Sequence, residues 1–245
     1  MENHSFEEII GSSAAPYINQ LAAQHGVAGN FHAEAHPSLP NYIAMTSGST
    51  QGIADDDDPS SHPLDVPSLF SLLPGGGSRS LLESMPGNCA RSDSGDYAVR
   101  HNPQAYYVNL GGDCARFNVP LAEPPDVSAR FTFVTPNLVH DMHNGTVSDG
   151  DTWLSTFMPK LLSSQEYAGG RTAVFLTWDE DDSILGPGDN HIPTLVIAPS
   201  VPPGTRVIAR LDHYAMLRAT QEMLGLEPLL GAADTAADMR TPFNL

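Results

Sequence analysis

The chain has 245 residues, 40% of them hydrophobic and 7% aromatic, which fits one large α/β domain with a substantial core and argues against global disorder. Its 29 acidic residues against 11 basic ones give a net charge of −18, a surface that repels nucleic acid and anionic membrane. Phosphate is repelled at long range as well, so any chemistry on phosphate needs a local positive charge such as a metal ion.

In chain order, residues 14–25 read as a short helix with Pro16 in its first turn and Gly26 as its C-terminal cap. Residues 41–47 read as a second, with Pro40 near its start and Gly48 after it. The loop 52–63 carries four consecutive aspartates, Asp55 to Asp58, which repel one another and favour water; calcium binding is the alternative. Residues 66–73 look helical, and 74–128, rich in Gly, Pro, Asn and Asp, look like an irregular excursion. Cys89 and Cys114 lie in it. A disulfide between them would close a loop of about 25 residues, contribute roughly 3 kcal/mol and imply an oxidising, secreted or cell-envelope location, whereas two free thiols would imply none of this.

Beyond the excursion, residues 130–135 are a strand candidate and 151–164 an amphipathic helix. The runs 172–178 and 192–198 are continuously apolar, as buried parallel strands are. Residues 205–209 suggest a short strand, and 213–224 a helix closed by Gly225. This alternation predicts a single domain over 1–245 with a mostly parallel sheet and helices on both faces. No run approaches the roughly 18 apolar residues of a membrane span, so no integral membrane segment is expected. The first residues are already polar, and a signal peptide and a first strand are expected to be missing ahead of Met1.

In parallel sheets ligands bind at the carboxyl ends of the strands, and polar residues recur there. Asp179 and Glu180 follow the 172–178 run; paired carboxylates at the end of a buried strand suit a hard cation, with a plain acidic loop as the alternative. Glu2 and Asn3 offer a carboxylate beside an amide oxygen. Ser38 stands between Pro37 and Pro40 ahead of a helix whose N-terminus favours anions; its hydroxyl needs a metal or base to become a nucleophile. Asn137, His140, Asp141, His143 and Asn144 follow the 130–135 strand and suggest ligation, phosphate binding or proton transfer. Asp149 and Asp151 lie just beyond and would also serve as helix caps. His191 precedes one strand and His213 starts one helix. A nucleophile elbow, HExxH, a P-loop and GxGxxG are all absent from the sequence.

Read in order, Met1-Glu-Asn-His-Ser-Phe, His36-Pro-Ser-Leu-Pro-Asn-Tyr, His101-Asn-Pro-Gln-Ala-Tyr-Tyr, Pro136-Asn-Leu-Val-His-Asp-Met-His, Gly150-Asp-Thr-Trp-Leu, Thr177-Trp-Asp-Glu and His191-Ile-Pro-Thr-Leu-Val-Ile-Ala-Pro resemble the acid phosphatase and phospholipase C branch of the alkaline-phosphatase superfamily. The likeness is nearest to small secreted acid phosphatases, some of which act on phosphoinositides. It implies a three-layer α/β/α sandwich and a divalent metal ion (Mg, Ca, Mn or Zn) held by Glu2, Asn3, Asp179 and Glu180. It implies Ser38 as the nucleophile of a phosphomonoesterase that passes through a phosphoserine, with His143 and Asp141 facing the phosphate. His101, His191 and Asp151 are further carry-overs, with Asn3, His101 and Asp151 on the substrate and His191 or His143 protonating the leaving alcohol. The expected partner is a small phosphate ester or a phospholipid headgroup. Three alternatives stand beside this reading: a phospholipase C-type diesterase, a non-catalytic acidic metal-binding secreted protein with dispersed carboxylates, and a truncated pseudoenzyme. The family has an apolar strand ahead of its Glu-Asn-His-Ser motif; without it, Glu2 and Asn3 are expected to lose their anchor.

Overall fold

Pro16 opens helix α2 (Pro16–Gln24) at its first turn, where the missing N–H costs nothing. It follows the one-turn helix α1 (Phe6–Ile9) in a computed structural model that describes residues 1–182 and 189–245. The cap of α2 is His25, not Gly26. Gly26 instead begins strand β1 (Gly26–Ala28), where a Cβ would stand 2.8 Å from the Phe243 ring, so the glycine serves close packing and not a left-handed turn. Strand β2 (Phe31–His32) leads to helix α3 (Ser38–Ser47), which starts earlier than its proline pattern suggested and makes Ser38 its first residue. Pro40 is tolerated because first-turn amides have no partner inside the helix. Gly48 ends α3 in the left-handed conformation, as expected.

The 66–73 stretch yields only α4 (Leu69–Leu72), capped by Ser68. Within the excursion, strand β3 (Ser78–Leu82) corrects the irregular reading. Its Ser-Arg-Ser-Leu-Leu carries no clear period, yet it pairs in parallel with β4 (Asn118–Pro120), which follows α5 (Asp113–Phe117), and with β5 (Phe131–Thr135). Cys89 and Cys114 are joined in a disulfide, with Cα atoms 5.4 Å apart. Helix α6 (Val147–Leu162) begins a turn before the expected start because Thr146 and Asp149 form a capping box there. Then come α7 (Gln165–Ala168), β6 (Val174–Thr177), β7 (Thr194–Ile197), β8 (Arg206–Val207), β9 (Leu211–Asp212), α8 (His213–Leu224) and α9 (Arg240–Phe243).

The strand order β6-β7-β1-β8 makes one sheet, with β4-β3-β5 and β2-β9 as smaller ones. Most pairings are parallel, but β7 runs antiparallel to both β6 and β1. The apolar runs had predicted parallel strands; apolarity on both faces specifies burial, and leaves direction open. Met1 supplies the anchor that Glu2 and Asn3 were expected to lack. Its amine donates to the Thr177 carbonyl at 3.0 Å, its carbonyl accepts from Asp179 N at 3.1 Å, and Glu2 N donates to the Asp141 carbonyl at 2.8 Å.

Every residue of α3 is buried. Tyr42 and Met45 pack into the main core with Ile18, Leu154, Phe157, Trp178 and Val196, while Leu39 and Ile43 face a second core with Phe70, Leu82 and Tyr106. The helix that begins with Ser38 is therefore the wall between two cores. Among the described residues no helix is long and apolar enough to cross a membrane.

Candidate active site

The turn into α3 is held by Asn41, whose Oδ1 accepts from the Glu34 and Ala35 amides at 2.9 and 3.0 Å while its Nδ2 donates to the Ala35 carbonyl. This fixes Ser38 at the helix start. Its Oγ lies 3.1 Å from Glu2 Oε2 and 3.1 Å from Glu180 Oε1. One hydroxyl proton thus faces two carboxylates that come from opposite ends of the sequence.

Glu2, Asp179 and Glu180 are 0%, 1% and 5% exposed. Tyr42 lies one turn after Ser38, on the same helix face, and donates its hydroxyl to Glu2 Oε1. Both Asp179 oxygens and Asn3 Oδ1 are buried with no donor. Burial, then the charges of Asp179 and Asp141, push the Glu2 carboxyl well up; burial does the same to Asp179; and burial followed by Asp179 pushes Glu180 to about 9. Carboxylates gathered so closely repel one another, and Asp179 among them has no donor, which is costly unless a cation compensates them. The residues Glu2, Asn3, Asp179 and Glu180 offer oxygen donors only, a set that fits a hard divalent cation. His36, half-exposed, contacts Glu180 through Nδ1 and stands 3.5 Å from Asp181 through Nε2.

The second wall is the 137–143 turn. Asn137 Oδ1 accepts from the Val139 and His140 amides, closing a turn that brings Asp141 inward. Glu83, at the end of β3, ties that turn down by accepting from Asn137 N, His140 Nδ1 and Trp153 Nε1. Asp141 Oδ2 stands 3.2 Å from His101 Nδ1, and His101 Nε2 stands 3.4 Å from Glu2 Oε2. His101 is 2% exposed and stacks on Tyr42; burial lowers its pKa and Asp141 opposes the shift. Ligand atoms of Glu2, His101 and Asp141 all lie within 4.8 Å of one another. His143 Nδ1 bonds Asn144 Oδ1 at 2.9 Å, which puts the proton on Nδ1 and makes Nε2 the acceptor for Arg100 Nη2 at 3.1 Å.

Comparison with known proteins places the chain in a family. Residues 125–227 match the phosphoesterase family. Over 96% of its length the chain is 32% identical to the phosphatidylinositol-3-phosphatase of Mycobacterium tuberculosis and spans 78% of that protein. The chain belongs to the phosphoesterase family. Membership places it among hydrolases acting on phosphate esters. It is also 27% identical to an acid phosphatase of Aspergillus fumigatus and to a probable acid phosphatase of Kluyveromyces lactis, spanning 56% and 60% of their lengths. In fold it is similar to an alkaline-phosphatase-superfamily protein of Vibrio parahaemolyticus, with a TM-score of 0.65 at 14% identity over 99% of this chain and 70% of that one. A phosphonate monoester hydrolase of Silicibacter pomeroyi gives 0.58 at 10% identity over 99% and 75%.

Of the expected residues, the structure links Glu2, Ser38, His101, Asp141 and Glu180 in one buried cluster, with Asp179 next to Glu180 in the chain. Two expected residues stand elsewhere. His191 stacks on Phe6 and His32, and its Nδ1 lies 3.3 Å from Glu7, so its contacts are with α1 and β2. Asp151 sits inside α6 and accepts from the Tyr17 and Ile18 amides at 3.1 and 2.8 Å; both oxygens cap α2 and neither faces Ser38. The helix donors expected for phosphate are also partly taken, since Leu39 N donates to Asp56 Oδ1 at 2.9 Å. Asp56 belongs to the exposed aspartate run that reads as a solvated loop. Sequence reasoning gave no role to Tyr42, His36, Asp56 or Arg100. Tyr42 carried a usable signal, the four-residue step from Ser38; the contact of Asp56 with Leu39 needs the 52–63 loop to fold over α3, and those of Arg100 need the excursion to fold back.

Proposed function

We propose that the protein is a divalent-cation-dependent phosphomonoesterase that works through Ser38 and a phosphoserine intermediate. The observation that carries this reading is the position of Ser38 Oγ, at equal 3.1 Å distances from Glu2 and Glu180, whose chain neighbours Asn3 and Asp179 carry buried oxygens that have no donor. A cation held by Glu2, Asn3, Asp179 and Glu180 would supply charge neutralisation and Lewis acidity. Ser38 passes its proton to the carboxylates it already faces and attacks phosphorus in line, and water then hydrolyses the phosphoserine. His101, braced between Asp141 and Glu2, keeps those two carboxylates apart. Protonation of the leaving alcohol falls to His36, half-exposed and in contact with Glu180 through Nδ1. Positioning and electrostatics do most of the work, as in phosphoryl transfer generally.

The relative named phosphatidylinositol-3-phosphatase supports a phosphoinositide or similar monoester as substrate. The Cys89–Cys114 bridge supports a secreted or cell-envelope location. Convergence of the carboxylates on Ser38 argues against an acidic binding protein, in which they would be dispersed.

The test is hydrolysis of a chromogenic phosphate monoester by the purified chain, with and without EDTA, beside Ser38→Ala. Turnover should vanish with the chelator, and the variant should lose about a thousandfold or more in kcat while melting within a few degrees of the parent. Near-normal turnover by Ser38→Ala would sink the assignment. Turnover of a diester only would move it to a phosphodiesterase.

A further inference from the structure

Arg100 is one of 11 basic residues in a chain of net charge −18, and it lies in the 3-10 turn Val99–His101, directly before His101. Its side chain is only 16% exposed. Among the described residues no carboxylate lies within hydrogen-bond distance of it: Asp56 Oδ2 stands 3.7 Å from Nε. Its hydrogen bond goes to the neutral Nε2 of His143. A mostly buried guanidinium held by an imidazole and a distant acid keeps donors in reserve, and a guanidinium fork matches phosphate oxygens.

The contacts around it close on themselves. Asp56 accepts from Leu39 N, next to Ser38, at 2.9 Å. Ser38 Oγ reaches Glu2 Oε2 at 3.1 Å, and Glu2 Oε2 stands 3.4 Å from His101 Nε2. The His101 and His143 rings lie 5.9 Å apart, His143 bonds Arg100, and Arg100 returns to Asp56. Ser38 and Arg100 are joined on one side through Leu39 and Asp56 and on the other through Glu2, His101 and His143. Every other side chain in this circuit that can carry charge is an acid or a histidine, and Asp56 already occupies the Leu39 amide.

We propose that Arg100 binds the non-bridging oxygens of the phosphate that Ser38 attacks, and that Asp56 and His143 hold the guanidinium ready for them. This rests on the phosphomonoesterase reading of Ser38.

The experiment uses the full chain supplied with divalent cation and compares the parent with Arg100→Met, Arg100→Lys and Arg100→Ala. It reads kcat and KM for a chromogenic monoester and the inhibition constant of inorganic phosphate. In Arg100→Met, KM and the phosphate inhibition constant should both rise about tenfold to a hundredfold. Arg100→Lys should recover only part of this, since an ammonium lacks the fork. Added guanidinium should restore phosphate affinity to Arg100→Ala, whose truncated side chain leaves it room, and do nothing for the parent. Melting temperatures check folding, and if Arg100→Met does not fold, Arg100→Lys carries the reading. Unchanged KM and phosphate inhibition in a folded variant would overturn the proposal, as would a failure of guanidinium to rescue a folded Arg100→Ala. Calorimetry of inorganic phosphate binding on Ser38→Ala, with and without Arg100→Lys, separates the two assignments. If the parent hydrolyses no monoester but binds phosphate through Arg100, the Ser38 reading fails and this one stands. If Ser38→Ala is inactive while Arg100 variants match the parent, this one fails and Ser38 stands.

Discussion

Asp179 is a residue whose burial costs the fold and which the proposed cation site requires. It is 1% exposed, and neither oxygen has a donor. A buried ion without a partner costs several kcal/mol even after relaxation. Replacing it by Asn removes an ionisable carboxyl from a group that also holds Glu2 and Glu180, and puts an amide donor among their oxygens. Asp179→Asn is therefore expected to raise the stability of EDTA-treated protein by about 1–3 kcal/mol and to abolish both turnover and stabilisation by divalent cation. Urea denaturation in EDTA and in excess cation measures both. A variant that is less stable in EDTA would mean that Asp179 has a partner in the metal-free protein. At this scale the sequence was informative where chemistry and chain neighbourhood coincide: Glu2 with Asn3, Asp179 with Glu180, and Ser38 between prolines. It was silent about Asp56, because hydration explains an aspartate run without any reference to Leu39. Arg100 was equally hidden, since its bond to His143 spans 43 positions.

The elements matter through how closely they approach one another. α6 brings Gly150 against the turn that carries Asp141: a Cβ on Gly150 would lie 2.5 Å from Met142 Cε and 2.9 Å from the His140 carbonyl. Met142 is itself buried and holds a φ of 85°, a conformation that bulky residues adopt only under constraint. Gly150→Ala must push the turn outward and take Asp141 with it, away from His101. The expected cost is about 1–3 kcal/mol, together with a fall in kcat larger than the change in KM. Chemical denaturation and steady-state kinetics on the same preparation would check this; a destabilised variant with unchanged kcat would show that the turn tolerates the shift. The sequence located α6, β5, β7 and α8 because their apolar periods are long or their caps distinct. β3 escaped, since five residues without apolar alternation, set in a Gly- and Pro-rich stretch, resemble loop. Direction escaped too: β7 is buried on both faces whichever way it runs.

Over the whole molecule, a net charge of −18 is paired with a site that gathers carboxylates, and the two reinforce each other as pH rises. Burial holds Glu180 at about 9, against an ordinary 4.5, and raises Glu2 and Asp179 as well. A carboxyl with a raised folded pKa keeps its proton in the native state at a pH where the unfolded chain has released it. Its contribution is complete below about 4.5 and is lost as pH climbs through 9. His213 slopes the other way. It is fully buried, its Nε2 donates to the Trp178 carbonyl, and burial pulls its pKa to about 4 from 6.5; its contribution is complete above 6.5 and is lost as pH falls through 4. Between about pH 6.5 and 9 only the carboxylate slope remains. Metal-free protein should therefore melt at progressively lower temperature across that range. A divalent cation binds the deprotonated carboxylates and should reverse the trend, with a larger gain at pH 9 than at 6.5. At a hundredfold excess over its dissociation constant the gain is about 2.7 kcal/mol, or roughly 5–10 °C for a chain of this size. Melting curves in EDTA and in excess Mg²⁺, Ca²⁺ or Mn²⁺ at both ends of the range measure it. A cation shift of equal size at pH 6.5 and 9 would mean that the ion is held by groups already deprotonated at the lower pH, and Glu180 would lose its place among the ligands.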